Sequence, residues 1–369
     1  MKYLHPMEST AIGPDRGVDP DALAAITFQV WNYKQGQMVS LMIQLGDRLG
    51  LYGALDGAGP MTVDDLASRT GLHPRWLLEW LRGQAAARLV ERHPDDRYEL
   101  TPEAAMVLAR ADLVTFAAAA FDEARPVDYV DRLSDAFRSG IGLTYDDLGR
   151  GCAHHVERML GPVTRAVLVP LVIPALDGVQ AKLERGAVVA DVGCGAGLAL
   201  ELLAEAFPRS QFHGFDLSRH AIETGRDRMT RAGLSNVEFH HNRAEDLSPD
   251  LAFDLVLTFD CMHDMTRPDR AIDAIRRSVK SDGTWLIKDI RSAPSFADNM
   301  KNPMLALMYA SSVATCMSSA LSEPDGLGLG TLGFNPEVAE SMVRAGGFTR
   351  FRVHDFPADR ANLYYEVRI

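Results

Sequence analysis

At 369 residues the chain is long enough for two domains, or for one large domain with an appendage. Hydrophobic residues make up 47% of the sequence and charged residues 24%, a balance that predicts a globular protein with a substantial core. The formal net charge of −12 argues against nucleic acid as a partner, because phosphate binding relies on clustered lysines and arginines.

The amino-terminal segment and the cysteines bear on the location of the protein. Residues 1–23 have no apolar signal-peptide core and are predicted to form a flexible lead-in. No apolar run reaches the roughly 18 residues that a membrane span requires. The four cysteines lack CxxC spacing, which predicts free thiols rather than a zinc ribbon or a disulfide framework. We therefore expect a cytoplasmic protein that does not associate with a membrane.

Residues 24–110 are predicted to form an α-helical winged-helix domain. After a first helix with one apolar stripe, Thr62 and Asp65 have the spacing of a helix N-cap pair. Gly71 suits the end of that helix and Pro74 the first turn of the next. Two short extended runs around the turn "HPDD" then predict a hairpin, so that a helix-turn-helix is followed by a wing.

A winged helix can recognise DNA or serve dimerisation. The second helix of this motif is strongly apolar, which is unsuited to a groove-facing element, and the surrounding segment is rich in Asp and Glu. The apolar residues are Trp76, Leu77, Leu78, Trp80 and Leu81. Together with the net charge, this pattern favours a homodimer through the amino-terminal domain over DNA binding.

The pattern changes after a predicted helical connector at residues 111–180. From residue 181 onward extended apolar runs alternate with helical segments, which is typical of a doubly wound, mostly parallel α/β sheet. Five strands are predicted at residues 188–192, 211–216, 237–241, 253–260 and 284–290, joined by helices near residues 197–206, 218–232 and 268–280. Two late extended runs predict a terminal hairpin. The expected architecture is therefore a Rossmann-like sheet of seven strands over residues 181–369.

A glycine loop follows the first of these strands. Glycines let the backbone turn tightly and let a ligand lie directly against it. Dinucleotide-binding folds prefer G-x-G-x-x-G, whereas Gly193, Gly195 and Gly197 are spaced G-x-G-x-G behind Asp191. An acid in front of the loop suits a cation better than a pyrophosphate, and Asp216 at the end of the second strand suits ribose hydroxyls. A ribose joined to a cation, without phosphate, describes S-adenosylmethionine.

These motifs resemble a known family. "DVGCGAG" and "GFDLS" are similar to the first two motifs of class I S-adenosylmethionine-dependent methyltransferases. With "FDCMHDMTRP" and the winged-helix opening, the chain resembles a bacterial group of small-molecule O-methyltransferases that dimerise through their amino-terminal domain. The resemblance implies that the glycines lie under the methionine part of the cofactor and that Asp216 binds its ribose. The product would be S-adenosylhomocysteine.

Further cofactor contacts are expected near the ends of the second, third and fourth strands. Members of this family often carry Asp in a G-D-A pattern near the adenine, but here the run is "HHNRAEDL", with Asn242 and Arg243 at those places. The adenine contact then falls to the Ala244 backbone, to Glu245 or to a neighbouring apolar side chain. The remaining candidate contacts are Leu217, Asp260 and Cys261.

His263 is the candidate general base. It follows the fourth strand at the carboxyl edge of the sheet, where open α/β sheets bind ligands. Methyl transfer to oxygen requires loss of the acceptor's proton, and a histidine near neutral pKa suits that task. The resemblance implies a carboxylate after the fifth strand that orients the imidazole; Asp289 falls there, one methylene shorter than the usual Glu. A second supporting Glu has no counterpart, and a purely structural role for His263 remains the alternative.

No metal is predicted at this site. His154 and His155 are adjacent on a helix and face different directions, so they do not form a metal-binding pair. A structural or lid role is favoured for them, with His155 as a candidate for the acceptor pocket. A metal held by His263, one of these histidines and an acid would instead suit a C-methyltransferase acting on an α-keto acid.

Residues 292–333 form a long insertion that is predicted to cover the acceptor site. Its centre is rich in methionine, and the glycines that follow it suit a mobile cover. The candidate pocket residues on it are Asn302, Met308, Tyr309 and Ser312. An apolar lid with a few polar groups predicts a small, largely apolar or aromatic acceptor. O-methylation is favoured; N- or C-methylation, non-methylating chemistry on the same fold and a winged-helix regulator are the alternatives.

Overall fold

The computed structural model describes residues 17–122, 125–248 and 251–369, and the chain divides into two compact units between Arg110 and Ala111. Among the described residues no single helix combines the length and hydropathy of a membrane span, although the pair Cys152–Ala175 and Val179–Arg185, bent by 103°, meets both criteria together. Most of the predicted lead-in, residues 1–16, lies outside the described residues. Its last part is helical, because the first helix begins at Pro20 behind an N-cap at Asp19.

The first unit has the predicted helix-turn-helix and wing. Its elements are α1 (Pro20–Arg48), α2 (Leu51–Leu55), α3 (Val63–Thr70), α4 (Pro74–Ala86), β1 (Glu91–Arg92), β2 (Tyr98–Glu99) and α5 (Pro102–Leu108). Thr62 and Asp65 form a reciprocal capping box, in which the Asp65 amide donates to Thr62 Oγ1 at 3.1 Å and the Thr62 amide donates to Asp65 Oδ2 at 3.0 Å. Gly71 ends α3 with a φ of 72°, as glycine permits.

The apolar character of α4 has a different explanation from the one inferred above. Leu77, Trp80 and Leu81 are buried in the core of their own unit, where the Trp80 indole donates to the Met42 carbonyl at 2.9 Å. Only Trp76 of the apolar set is strongly exposed, at 79%. The apolar residues of α4 therefore serve the domain core, and they carry less weight against DNA binding than the acidic charge does.

The second unit begins with helices and continues as an α/β domain. Its helices are α6 (Tyr129–Ser139), α7 (Cys152–Val167), α8 (Ile173–Ala175), α9 (Val179–Arg185), α10 (Leu198–Ala206), α11 (Arg219–Ala232), α12 (Pro268–Ser278), α13 (Phe296–Asn299), α14 (Leu305–Ser311), α15 (Met317–Ala320) and α16 (Pro336–Ala345). Its strands are β3 (Val188–Val192), β4 (Gln211–Asp216), β5 (Val237–His241), β6 (Phe253–Phe259), β7 (Val279–Ile290), β8 (Arg350–His354) and β9 (Asn362–Arg368). A π-helical turn, Ser312–Cys316, joins α14 to α15.

The seven strands form one sheet in the order β5-β4-β3-β6-β7-β9-β8, in which β9 alone runs antiparallel to both of its neighbours. The predicted mostly parallel, doubly wound sheet and its terminal hairpin are confirmed. Two predicted strand bounds were wrong. Strand β6 ends one residue early because Asp260 has a φ of +52°, outside the range of a strand, and β7 begins at Val279 rather than at residue 284.

Apolar side chains bury both faces of the sheet. One core contains Leu200, Leu203 and Phe239, and the other contains Phe253 and Trp285. Because β3, β4, β5 and β6 are parallel, their carboxyl ends meet at one edge. The loops that follow these strands build the candidate site.

Candidate active site

The glycine loop between β3 and α10 adopts backbone that only glycine takes without strain. Gly193, Gly195 and Gly197 have φ values of 76°, 53° and 78°. A Cβ on Gly193 would lie 2.8 Å from the Cys261 side chain, and a Cβ on Gly197 would lie 2.5 Å from the Phe239 ring. A Cβ on Gly195 would meet no atom within 4 Å. Two of the glycines therefore serve packing, and Gly195 leaves open space beside the loop.

Asp216, at the end of β4, fastens the loop. Its Oδ2 accepts the Gly195 amide at 2.8 Å and its Oδ1 accepts the Ser218 amide at 2.8 Å. Burial raises the pKa of Asp216, and these two backbone hydrogen bonds oppose that rise because they favour the charged form. The carboxylate is thus fixed in position at the carboxyl edge of the sheet.

Asp191 is buried in the same place, with 2% of its surface exposed. Burial, and then the charge of Asp216, raises the pKa of Asp191 to about 8. Among the described residues, its Oδ1 has no hydrogen-bond partner. A buried carboxyl group with a free oxygen is suited to pair with a ligand that supplies a cation.

A cavity of about 490 Å³ opens over this loop. Its size is that of a site for a small molecule or cofactor. Nine of the ten predicted cofactor residues line it: Asp191, Gly193, Gly195, Asp216, Leu217, Ala244, Glu245, Asp260 and Cys261. Gly197, the tenth, is not among the described lining residues, because its α-carbon packs against Phe239.

Three of these side chains are already engaged by protein partners. Both oxygens of Asp260 are paired, with Lys288 Nζ at 2.6 Å and with the Asn362 amide. The thiol of Cys261 donates to the Val192 carbonyl at 3.2 Å. Glu245 accepts from the Arg243 guanidinium at 2.9 Å. The predicted direct contacts from these side chains therefore remain predictions, while their place in the cavity wall is established.

Arg243 connects the segment after β5 to the insertion. Its guanidinium also donates two hydrogen bonds to Glu323, at 2.5 and 2.9 Å. The hydrogen bonds with Glu323, which burial only partly offsets, raise the pKa of Arg243 above its usual value. The sequence placed Arg243 near the adenine position, but nothing in the spacing indicated that it is held by an acid 80 residues away.

His263 and Asp289 meet as the resemblance implied. The imidazole Nδ1 lies 2.7 Å from Asp289 Oδ1, and both residues are buried. The same oxygen accepts the Ile290 amide at 2.7 Å, which fixes the carboxylate in place. Asp289 therefore reaches the ring despite its shorter side chain. Burial alone would lower the pKa of His263, but the charge of Asp289 and the hydrogen bond to it outweigh burial and raise that pKa well above its usual value.

The imidazole of His263 does not belong to the described lining of the cavity. It is hydrogen-bonded to the thiol of Cys316, at the end of the π-helical turn of the insertion. Burial alone would raise the pKa of this thiol, but the hydrogen bond with His263 and the charge of His263 outweigh burial and lower it. No spacing in the sequence indicated this contact, since Cys316 is 53 positions from His263 and was predicted only to be a free thiol.

Asp264 and Tyr145 line the cavity instead, and sequence reasoning assigned a role to neither. The Tyr145 hydroxyl donates to Asp264 Oδ2 at 2.7 Å. Burial, partly offset by the charge of His263 and by the Tyr145 hydrogen bond, raises the pKa of Asp264 to about 7. The dipeptide His263–Asp264 was a visible signal for the acid, whereas Tyr145 lies 119 positions away.

The five predicted acceptor residues are placed elsewhere within the described part of the chain. His155, Asn302, Met308, Tyr309 and Ser312 do not line the cavity. Ser312 Oγ accepts the Thr331 amide at 3.1 Å, the ring of Tyr309 packs on Phe296 at 5.8 Å, and the Asn302 amide donates to Met308 Sδ at 3.4 Å. Contacts of these five residues with an acceptor therefore remain predictions.

Helical periodicity explains why His155 of α7 does not line the cavity. Ala153, Val156, Leu160 and Thr164 line the cavity at spacings of three and four, which places His155 on another face of the helix. From the insertion, the lining residues are Ser319, Ser322 and Glu323. The cavity wall therefore includes one face of α7 and residues within and after α15 of the insertion.

Comparison with known proteins identifies the class. Residues 183–332 match a family model described as a methyltransferase domain, and residues 37–110 match an Rv2258c-like winged HTH domain. Among curated relatives, a fatty-acid O-methyltransferase of Mycolicibacterium smegmatis is 36% identical over 113 residues, 30% of this chain and 40% of the relative. A ubiquinone biosynthesis O-methyltransferase of Neisseria meningitidis is 32% identical over 130 residues, 34% of this chain and 52% of the relative. The chain thus spans about half or less of the length of these relatives.

Solved structures resemble this chain over most of its length. Human N-acetylserotonin methyltransferase in complex with SAM has a TM-score of 0.65 at 17% identity, over 96% of this chain and 99% of that one. The mitomycin 7-O-methyltransferase MmcR has a TM-score of 0.67 at 19% identity, over 95% and 100%. At this identity the likeness establishes the fold. The chain therefore combines a class I methyltransferase domain, the cofactor of which is S-adenosylmethionine, with a winged helix-turn-helix domain.

Proposed function

We propose that this protein transfers the methyl group of S-adenosylmethionine to an oxygen of a small, largely apolar or aromatic acceptor. The observation that carries the proposal is the single cavity that joins Asp191, Gly195 and Asp216 to Asp264 and Tyr145. The cavity wall combines groups suited to the cofactor with a carboxyl group of raised pKa and with one largely apolar face of α7. The two curated relatives described above are named as O-methyltransferases, which supports oxygen as the acceptor atom, while the matched demethylmenaquinone methyltransferase of Listeria monocytogenes does not name an oxygen acceptor.

Asp191, Gly195 and Asp216 have the chemistry that the cofactor requires. The free oxygen of Asp191 suits the ammonium of the methionine part, and Gly195 leaves space for that part against the backbone. Asp216, fixed by two amides, suits the ribose hydroxyls. When bound, S-adenosylmethionine supplies a methyl group on a sulfonium, which is activated for displacement without an acid catalyst. The protein is left to position the acceptor and to accept its proton.

We assign the proton-accepting role to His263, with Asp289 as the residue that orients it. The hydrogen bond at Nδ1 leaves Nε2 as the atom available to an acceptor hydroxyl. For this to occur, the acceptor must displace the thiol of Cys316 from the imidazole and His263 must be neutral. The acceptor hydroxyl would take the hydrogen-bonding place that the thiol holds.

Asp264 is a second candidate for the base. It lines the cavity directly, its pKa is about 7, and Tyr145 holds its carboxylate in place. A group that titrates near neutral pH is suited to remove a proton. The variants His263→Gln and Asp264→Asn distinguish the two candidates, because only the base variant should lose kcat and the corresponding limb of the pH profile while S-adenosylmethionine affinity is retained.

We further propose that two copies associate through the first unit. Helix α1 exposes a set of large apolar residues along its length: Leu23, Ile26, Phe28, Val30, Trp31 and Tyr33. An exposed apolar surface of this kind is typical of an interaction site. Light scattering on the intact chain should give twice the chain mass, and Trp31→Glu with Phe28→Glu should give the mass of one chain.

The proposed activity is tested by calorimetry followed by turnover. S-adenosylmethionine should bind and NAD should not, and Asp216→Ala should weaken binding by about 1–3 kcal/mol, the value of hydrogen bonds to a charged group. A panel of phenols, hydroxyquinones and hydroxylated fatty acids is then incubated with methyl-labelled cofactor. Formation of S-adenosylhomocysteine together with a labelled ether or ester supports the proposal. Binding with consumption of an acceptor but no S-adenosylhomocysteine would indicate other chemistry, and preference for NAD would overturn the assignment.

A further inference from the structure

Three potential metal ligands lie together on one face of the sheet. His213 is on β4, and Glu238 and His240 are on the neighbouring edge strand β5. His213 and Glu238 are paired across the two strands, and His240 follows Glu238 by two residues, so the three side chains share a face. None of them lines the cavity described above.

The two imidazoles approach through their nitrogens. His213 Nδ1 and His240 Nε2 are 3.2 Å apart. Bonds of about 2.0–2.1 Å from zinc at a tetrahedral angle place two ligand nitrogens about 3.3–3.4 Å from each other. The observed separation is therefore close to that of two histidines that share one ion.

Glu238 completes the set. Its Oε2 lies 3.8 Å from His213 Nδ1, and its Oε1 lies 4.0 Å from His240 Nδ1. Its side chain is 68% exposed, so it is free to close on an ion or to orient the His240 ring through Nδ1. One ligand atom from each of the three residues lies within 4.8 Å of those of the other two.

The surroundings keep the rings in place. Phe215 stacks on His240 at 4.6 Å, and Phe253 meets His213 edge-on at 6.0 Å. The imidazole side chains are 16% and 25% exposed. Neutral imidazole is the form that ligates metals.

We propose that His213, Glu238 and His240 bind one divalent transition metal ion of the zinc class, with water at the fourth position. Two imidazoles and a carboxylate are a ligand set that suits Zn²⁺. Both facing nitrogens then carry lone pairs, and the ring protons reside on His213 Nε2 and on His240 Nδ1, near Glu238. The ion links β4, which ends in Asp216, to β5, which precedes the Asn242–Glu245 segment of the cavity wall.

Calorimetry with ZnCl₂ on the intact chain, purified without a histidine tag, tests the site. We expect one ion per chain, and we expect His213→Gln and His240→Gln each to weaken binding by tenfold or more. The exposed Glu238→Gln should weaken it by a smaller factor without affecting the fold. His154→Gln, at an exposed histidine outside the cluster, should bind zinc like the wild type.

Two further measurements test whether the zinc binds at these histidines and not elsewhere on the chain. Zinc should raise the thermal unfolding temperature of the wild type but not that of the His213→Gln/His240→Gln protein. X-ray absorption of the zinc-loaded wild type should show two imidazole ligands at about 2.0–2.1 Å, a readout that requires no variant to fold. If the wild type binds no zinc, binds it as weakly as the double variant, or shows fewer than two imidazoles, the two histidines form only a ring-to-ring hydrogen bond and the proposal is wrong.

Discussion

Replacement of Gly195 by alanine separates ligand binding from folding in the glycine loop. The added Cβ would meet no atom within 4 Å, in a residue that lines the cavity. The substitution should therefore cost only the strain of an L-residue at a φ of +53°, about 1–2 kcal/mol. Gly233 provides a matched control: its φ is +68°, its Cβ would also meet nothing within 4 Å, and it caps α11 away from the cavity.

The two variants should differ in cofactor affinity alone. The methyl group of Gly195→Ala occupies space that the methionine part of the cofactor would need, and overpacking of this kind costs about 1–3 kcal/mol. That range corresponds to a loss of affinity of about 5- to 150-fold. Gly233→Ala should bind S-adenosylmethionine as the wild type does, although it should be destabilised to the same extent.

Calorimetric titration with S-adenosylmethionine and with S-adenosylhomocysteine measures the affinity, and denaturant unfolding measures the stability. Wild-type affinity of Gly195→Ala for both ligands would show that the cofactor does not lie against this residue. A much lower stability of Gly195→Ala than of Gly233→Ala would show that the loop is packed where the structure leaves space.

Three further predictions concern pH, a buried ion pair and a helix cap. The carboxyl group of Asp191 has a pKa of about 8 and must lose its proton to pair with an ammonium. The affinity for S-adenosylmethionine should therefore fall by up to about tenfold for each pH unit below 8. Calorimetry from pH 6 to 8 measures this dependence, and an equally steep profile in Asp191→Asn would contradict it. Lys288→Met should destabilise the protein by about 3–5 kcal/mol, because it leaves the carboxylate of Asp260 without its cation in a largely buried place. Lys280→Met, at the more exposed pair with Asp254, should destabilise it by less than about 1 kcal/mol. Equal losses in denaturant unfolding would show that burial does not decide the difference. Thr62→Ala should lower the free energy of unfolding of the first unit by about 1 kcal/mol, because the capping box is lost. Hydrogen exchange of the α3 amides measures this loss, and Thr62→Ser should retain most of the stability. Similar exchange in both variants would argue against the cap.

The sequence predicted the features that depend on neighbouring residues. The alternation of apolar runs and helices predicted β3, β4 and β5 with their observed bounds, and the cap at Thr62 predicted the start of α3. The spacing of the glycines behind Asp191 predicted a ligand loop, and Gly195 and Asp216 are joined there by a hydrogen bond. Such features follow from backbone conformation and from the repeat of side-chain direction every two residues in a strand or every 3.6 in a helix, and both are set by nearby residues.

The sequence could not predict which faces of distant elements meet. Three contacts in the site join segments whose separation follows no helical or strand repeat. They are Tyr145 with Asp264, Cys316 with His263 and Arg243 with Glu323. For the same reason the sequence did not show that Ser319, Ser322 and Glu323 of the insertion line the cavity together with one face of α7.

The sequence by itself determined that the chain has the motifs of an S-adenosylmethionine-binding α/β sheet and that a winged-helix domain precedes them. It did so because the alternation of strands and helices, the loop glycines and the helix caps are encoded locally. Only the tertiary structure decided that Asp289 reaches His263, that Asp264 rather than His263 faces the cavity, and that His213 and His240 meet across two strands. These results depend on the packing of side chains from distant segments, and a side chain's direction within its own element does not specify its partner.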